Sequence, residues 1–168
     1  CDTMTKPVHG RFGFLPLLLL TGILTAAGPA AATVITVNVA GDELNGDVDC
    51  SLREAVRAAN LDQAVSGCPA GNGNDTIVLQ TAHNYVLALT GAGEDNAATG
   101  DLDIRGGVTI EGHDSTIDGN DTDRVLHVIN GAVVIEDVTV RDCRTASDGA
   151  GIRVETTAAN LTLRDSVV

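Results

Sequence analysis

The residues best suited to chemistry in this chain are carboxylates and arginines that recur at close spacing. Asp42, Asn45, Asp47 and Asp49 share one loop, Asp101 and Asp103 flank an expected strand, and Asp118, Asn120, Asp121 and Asp123 form the string DGNDTD. Each group supplies part of a calcium shell, which takes about six to eight oxygens. None follows the EF-hand loop or the nonapeptide calcium repeat. The simpler reading is turn chemistry, in which Asp and Asn bond their own backbone. Arg105, Arg124, Arg141 and Arg153 have Asp118, Asp137 and Asp142 nearby in sequence. Two carboxylates on opposite sides of a sugar would instead serve glycoside hydrolysis. Arg53 and Glu54 form a further pair that could be imagined as catalytic. His113 and His127 read as polar residues of the framework, not as catalysts. The histidines are scattered and no CxxC or HxxxH spacing occurs, so no metal site is expected. No catalytic residue is assigned and no cofactor is expected, calcium being the one cation considered.

The elements that must position these residues follow from composition. The chain has 168 residues, enough for one domain or part of one. Aromatic residues make up 2%, and outside the first thirty or so positions the only one is Tyr85. The core must therefore be built from Val, Ile, Leu and Ala, which suits flat aliphatic stacks. Nineteen glycines in a chain that is 43% hydrophobic point to many tight turns, not to disorder. The net charge of −13, with Lys6 the only lysine, repels nucleic acid and anionic lipid.

The first residues read as a leader. Met4 is the expected start, so Cys1 has no assigned role. Lys6, His9 and Arg11 form a basic region, FLPLLLLTGIL (Phe14 to Leu24) an apolar one, and Ala30 and Ala32 stand at A-x-A spacing. This is the pattern of a secretory signal peptide cut after Ala32. The apolar run is too short and too interrupted for an anchor, and no second membrane-spanning segment is expected. The expected location is secreted or at the cell surface. Of the remaining cysteines, Cys50 and Cys68 bracket a helix and its exit and read as a disulfide, with a stabilisation of about 3 kcal/mol. Cys143 is left over, either as a small buried apolar residue or as half of a pair with a cysteine further on.

TVITVNVA (Thr33 to Ala40) alternates and reads as a strand. CSLREAVRAAN follows an acidic loop. Ser51 is the N-cap and Glu54 completes a capping box, opening a helix that fades after Asn60. Leu52, Ala55, Val56 and Ala59 fall on one face, while Arg53, Glu54 and Arg57 point elsewhere. Glu54 is accounted for by the cap, and Arg53 reads as a surface charge or a partner of the acidic loop. Strands are predicted over residues 75–80 and 84–89. After Gly100 the texture repeats: Ile110, Ile135 and Leu163 align at spacings of 25 and 28, and the runs from Asp123 and Gly149 are offset by 26. Short apolar strands at such a period point to a β-solenoid, each unit holding two or three strands of three to five residues. The alternative is an antiparallel sandwich, which lacks support because no matched NG or DG hairpins occur.

CSLREAVRAAN resembles the signature of the CSLREA domain, found at the N-terminal end of exported bacterial right-handed parallel β-helix proteins. TVITVNVAGDE, NDTIVL and the run from LTGAGEDNAATG to DRVLHV resemble the neighbouring strands and first coils of that family. The resemblance implies an all-β fold: a right-handed parallel β-helix with a short capping α-helix, similar to pectin lyases. It implies three regions, with residues 1–32 upstream and leader, 33–100 the cap and first strands, and 101–168 coils that continue in a longer protein. The cap would consist of Cys50, Ser51, Leu52, Glu54, Val56 and Ala59, lying over the first coil. The Asn-x-Thr strings at Asn74, Asn120 and Asn160 carry no weight in a chain of this kind. The role implied is a structural or adhesive surface protein, whose partners would be surface polysaccharide or host-cell glycans. The alternative is the entry to a polysaccharide lyase or glycoside hydrolase. Lyases of this fold often use Arg as the base, beside a carboxylate-held calcium, and this resemblance makes Arg105, Arg124, Arg141 and Arg153 the candidate bases. The leader predicts a mature chain beginning at Thr33, and N-terminal sequencing of the exported protein checks it: an intact leader would be the contrary result.

Overall fold

Short β-branched runs broken by Gly, Asp and Asn extend for only a few residues before the chain must turn. The computed structural model describes residues 31–145, 149–155 and 157–168, so the expected basic and apolar leader regions and Ala30 lie outside the described residues. The chain forms β1 (Val34–Thr36), α1 (Leu52–Leu61), β2 (Asp75–Val78), β3 (Asn84–Val86), β4 (Leu102–Ile104), β5 (Val108–Asp118), β6 (Leu126–Val128), β7 (Gly131–Arg141), β8 (Ile152–Val154) and β9 (Ala159–Arg164). This is a mostly-strand fold with a single helix among the described residues. One sheet runs β1-β2-β5-β7-β9 with β3 also on β5, and a second runs β4-β6-β8. Every pairing between these strands is parallel, which excludes the antiparallel sandwich.

The register follows the sequence repeat. Ile110 faces Ile135 and Ile135 faces Leu163, while Leu126 faces Ile152 in the second sheet. Extending the first row backwards, Ile35 faces Ile77 and Ile77 faces Ile110. The isoleucines of this row are fully buried, and each such side chain contributes about 1.5–3 kcal/mol. A second row joins Tyr85, Ile117 and Val140, and a third joins Leu102, Leu126 and Ile152. The aliphatic core is thus a set of rows running across the strands, as the near absence of aromatics requires.

Strand lengths differ from expectation. β5 and β7 are 11 residues each, longer than the three to five expected, because each bends at an irregularity beyond which the ladder resumes. The register slips between Glu111 and Ser115, where His113 and Asp114 take left-handed backbone. Asp137 takes the same conformation on β7, and its carboxylate accepts the Asp114 N–H at 2.9 Å. A Cβ at Gly112 would lie 2.2 Å from the Asp137 carbonyl oxygen, so this corner requires glycine. β1 covers only three of the residues expected to be extended. Beyond it Asn38 leaves the ladder to bond Cys50, donating its N–H to the Cys50 carbonyl and accepting the Cys50 N–H on Oδ1. β3 stops at Val86 because the Ala88 and Leu89 N–H groups turn to the Asp42 carboxylate, at 2.7 and 2.8 Å.

The helix begins at the Ser51 cap, whose hydroxyl accepts the Glu54 N–H at 3.2 Å while Glu54 accepts the Ser51 N–H at 3.0 Å. It ends at Leu61, with Asp62 in the left-handed conformation. Leu52, Ala55 and Val56 are buried and Ala59 packs partly buried against the same core. Cys50 and Cys68 form a disulfide. Cys143 is a free thiol, half-buried against the core, and burial together with Asp142, Asp118 and Asp121 pushes its pKa up.

The outward placement of Arg53 and Glu54 is corrected by the structure: both are fully buried. Glu54 is drawn in by its capping bond and by the Ser66 hydroxyl. Arg53 pairs through Nε and Nη2 with Asp42 of the acidic loop, one of the two roles considered for it. It also donates to the carbonyls of Gly100 at 2.8 Å and of Ala97 and Asp101 at 3.3 Å. Replacing Arg53 with Met leaves the buried Asp42 carboxylate without its cationic partner and three carbonyls without the guanidinium donor. Urea unfolding of Arg53→Met is expected to lose about 3–5 kcal/mol, with Arg53→Lys recovering only part because it lacks the planar fork. A loss below about 1 kcal/mol would contradict a buried pair.

Candidate functional site

In the sheet β4-β6-β8 alternate residues face opposite ways. Leu102, Leu126 and Ile152 form one inner row and Ile104, Val128 and Val154 another. Between these rows Asp103, His127 and Arg153 stand in register on the other face. This face is partly covered by the loop Glu94–Gly100. Glu94 folds that loop by accepting the N–H groups of Asn96, Ala98 and Thr99. These bonds hold the Glu94 carboxyl below its ordinary range, against the opposing effect of burial. A Cβ at Gly100, which has φ +61°, would lie 2.1 Å from the Gly91 carbonyl oxygen, so the loop closes through glycine.

Together these elements form a hollow of about 270 Å³ lined by Glu94, Asp95, Asp101, Asp123, Arg124 and His127 among others. His127 sits at its floor. Its Nδ1 lies 3.1 Å from Asp103 Oδ1 and 3.8 Å from Asp95 Oδ1. Its Nε2 lies 3.0 Å from Glu155 Oε1, which also accepts Arg153 Nη2 at 2.7 Å. The second Asp103 oxygen accepts the Ala97 N–H at 2.9 Å. Arg124 Nε stands 3.2 Å from Asp101. Burial pushes the Asp103 carboxyl up to about 6, against the bonds from Ala97 and His127. Burial raises Asp101 as well, despite Arg124. The bond from His127 lowers Glu155. One ligand atom each from Asp95, Asp103 and His127 lie within 4.8 Å of one another, so among the described residues this group could hold a cation.

The other candidate residues are placed elsewhere. Arg141 pairs with Asp118 at 2.8 Å and reaches its neighbour Asp142 at 3.5 Å, away from the hollow. Asp137 holds the corner of β5 and β7. His113 is half-exposed, 3.9 Å from Glu111. The other acidic clusters largely satisfy their own backbone: Asn45 accepts the Asp47 N–H, Asp47 that of Asp49, and Asp118 that of Asn120. Tyr85 is buried with its hydroxyl accepting the Gln80 N–H, so it offers no face to a sugar ring. A second hollow, of about 530 Å³, lies between α1 and the loop and is lined by Arg57, Asn60, Leu61, Asn96, Ala98 and Arg105. Its polar groups already serve the fold: Arg57 bonds the Asn96 carbonyl, Arg105 bonds the Asn96 side chain, and Asn60 bonds β4.

Sequence spacing missed Asp95 and Glu155, which lie in turn-like stretches, and placed His127 only as a framework residue. The offset repeat held a usable signal: carried back one unit, it stacks Asp103 under His127, 24 residues apart.

Family models, curated proteins and solved structures offer no match to this chain. Among the described residues no helix is long and apolar enough to cross a membrane.

A carboxyl whose pKa rises on folding binds its proton more tightly in the folded state. The stability it lends is present at low pH and is lost as pH rises through about 6. In metal-free buffer, wild type is therefore expected to gain stability relative to Asp103→Asn on acidification from about pH 7.5 to about pH 4. Denaturant midpoints for both proteins across this range test it, and a gain in the opposite direction would reject a raised Asp103.

Proposed function

We propose that the chain is the capped first part of an exported right-handed parallel β-helix of the CSLREA kind. In this reading it is a rigid surface scaffold that meets surface or host glycans without turning them over. Parallel partners one repeat apart in both sheets, and corners within β5 and β7, are what stacked coils require. At one end α1 packs its apolar face on the core and acts as the lid. At the other, Val154 and Leu163 are partly exposed and offer apolar surface on which a further coil would stack.

The observation that carries the non-catalytic role is that outward charges are paired across successive repeats. Arg124 meets Asp101, Arg141 meets Asp118 and Arg164 meets Glu136, while His127 shares hydrogen bonds with Asp103 and Glu155. Three of the four arginines considered as bases, Arg124, Arg141 and Arg153, stand against carboxylates. The fourth, Arg105, bonds Asn96 and the Asp95 carbonyl. A lyase base must first be deprotonated, and an adjacent carboxylate favours the charged guanidinium. The second reading, the entry to a polysaccharide lyase or glycoside hydrolase, draws on the convergence of carboxylates and arginines at the hollow.

Two measurements test this proposal, the first its export and the second its choice between scaffold and enzyme. Protease added to intact expressing cells is expected to degrade the protein, as an exported scaffold requires; complete protection inside the cytosol would reject export. Purified protein given polygalacturonate and calcium is expected to release neither unsaturated uronides nor new reducing ends. Turnover that Arg124→Ala or Arg153→Ala abolished would overturn the scaffold role in favour of the enzyme.

A further inference from the structure

We infer that Asp95, Asp103 and His127 form a binding site for a divalent transition metal of the zinc class, with Glu155 as the residue that orients the imidazole. The inference needs only the local geometry and stands apart from the scaffold reading.

The argument begins with donors and acceptors. Glu155 faces His127 Nε2 at 3.0 Å, and a carboxylate there favours the tautomer with its proton on Nε2. In that tautomer the other nitrogen, Nδ1, is the one able to give a lone pair to an ion. What it meets is Asp103 Oδ1 at 3.1 Å and Asp95 Oδ1 at 3.8 Å. Nδ1 and two carboxylate oxygens, which when ionised only accept, thus converge on one point. A proton on Nδ1 satisfies one such contact at a time, whereas a divalent cation placed among them satisfies all three.

The surroundings fit a cation. Glu94, Asp95, Asp101, Asp103, Asp123 and Glu155 collect around the hollow, against Arg124 and Arg153 as the nearby arginines. Arg124 lies 3.2 Å from Asp101, and Arg153 2.7 Å from Glu155. Asp103 is fixed by the Ala97 N–H on its far oxygen, which aims Oδ1 at the imidazole. Asp95 is two-thirds exposed and free to close on an ion from the solvent side. A histidine whose second ring nitrogen is held by a carboxylate is the usual surrounding of a metal-bound imidazole. The ligand set also selects the class. One imidazole nitrogen with two carboxylate oxygens suits zinc and its neighbours, with water completing four-coordination, and gives calcium too few oxygens.

The test uses tag-free exported protein stripped with chelator. Zinc titration by calorimetry is expected to show one equivalent per chain, and cobalt to give the visible absorption bands of a low-coordinate site. Asp95→Ala removes an exposed side chain, leaves the melting curve unchanged and is expected to weaken zinc at least about tenfold. Glu155→Gln is expected to weaken it by about 10–100-fold, and His127→Gln to abolish it. His113→Gln, which removes the half-exposed histidine beside Glu111, is expected to leave zinc binding intact. Absence of saturable zinc binding would overturn the inference. So would equal affinity in wild type, Asp95→Ala and His127→Gln, or displacement of zinc by equimolar calcium.

Discussion

The buried charge of Arg53 is the constraint around which the first half of the molecule is organised. A guanidinium taken from water is tolerated only when its donors are matched. Arg53 finds its partners on separate stretches of chain: Asp42 in the loop before the helix, and the carbonyls of Ala97, Gly100 and Asp101 in the loop before β4. Asp42 in turn accepts the N–H groups of Ala88 and Leu89. One ion pair therefore fixes the helix against two connections that have no regular structure of their own, the one before α1 and the long one between β3 and β4. The disulfide from Cys50 to Cys68 holds the same helix from its other side by closing the chain that leads in and out of it.

This arrangement also solves an edge problem. β4 begins its sheet, so one side of its backbone has no neighbouring strand and would be open to another chain. The helix supplies polar side chains in place of a strand. Arg53 donates to the Asp101 carbonyl, Asn60 Nδ2 to the Asp103 carbonyl, and Asn60 Oδ1 accepts the Arg105 N–H. These groups lie at alternate residues along β4, the spacing a paired strand would use. A helix able to do this must carry polar residues on the face turned toward the sheet. That requirement explains why Arg53 is inside, although helical periodicity alone would set it apart from the apolar face.

The parts of the fold visible in the sequence were those governed by neighbours in the chain or by strict repetition. Ser51 and Glu54 lie three residues apart and marked the helix start; Ile110, Ile135 and Leu163 marked the register that the strands adopt. The burial of Arg53 could not be read, because its carbonyl partners stand more than forty residues away and no side-chain type announces a carbonyl. Strand lengths were misjudged for a related reason. Gly, Asp and Asn looked like terminators, yet at Gly112 and Asp137 they bend a strand whose ladder resumes beyond the corner. The hollow was hidden more deeply, since Asp95 comes from a loop and Asp103, His127 and Glu155 from different repeats.

The same register that builds the core also dictates what the outer face can hold. In a parallel stack each residue lies beside its counterpart one repeat on, so identical charges would repel along the whole row. The inner rows escape this because aliphatic side chains gain from stacking on their own kind. The outer row of β4-β6-β8 escapes it by changing character at each step, from Asp103 to His127 to Arg153. Such a row runs from negative to positive across three repeats, with the titratable imidazole at its centre. The loop Glu94–Gly100 then breaks the balance by adding Asp95 over the negative end and drawing the Ala97 N–H onto Asp103. The excess of negative charge thus collects where the chain departs from its repeat. That departure, and not the stacked framework beneath it, is what gives this face an individual chemistry.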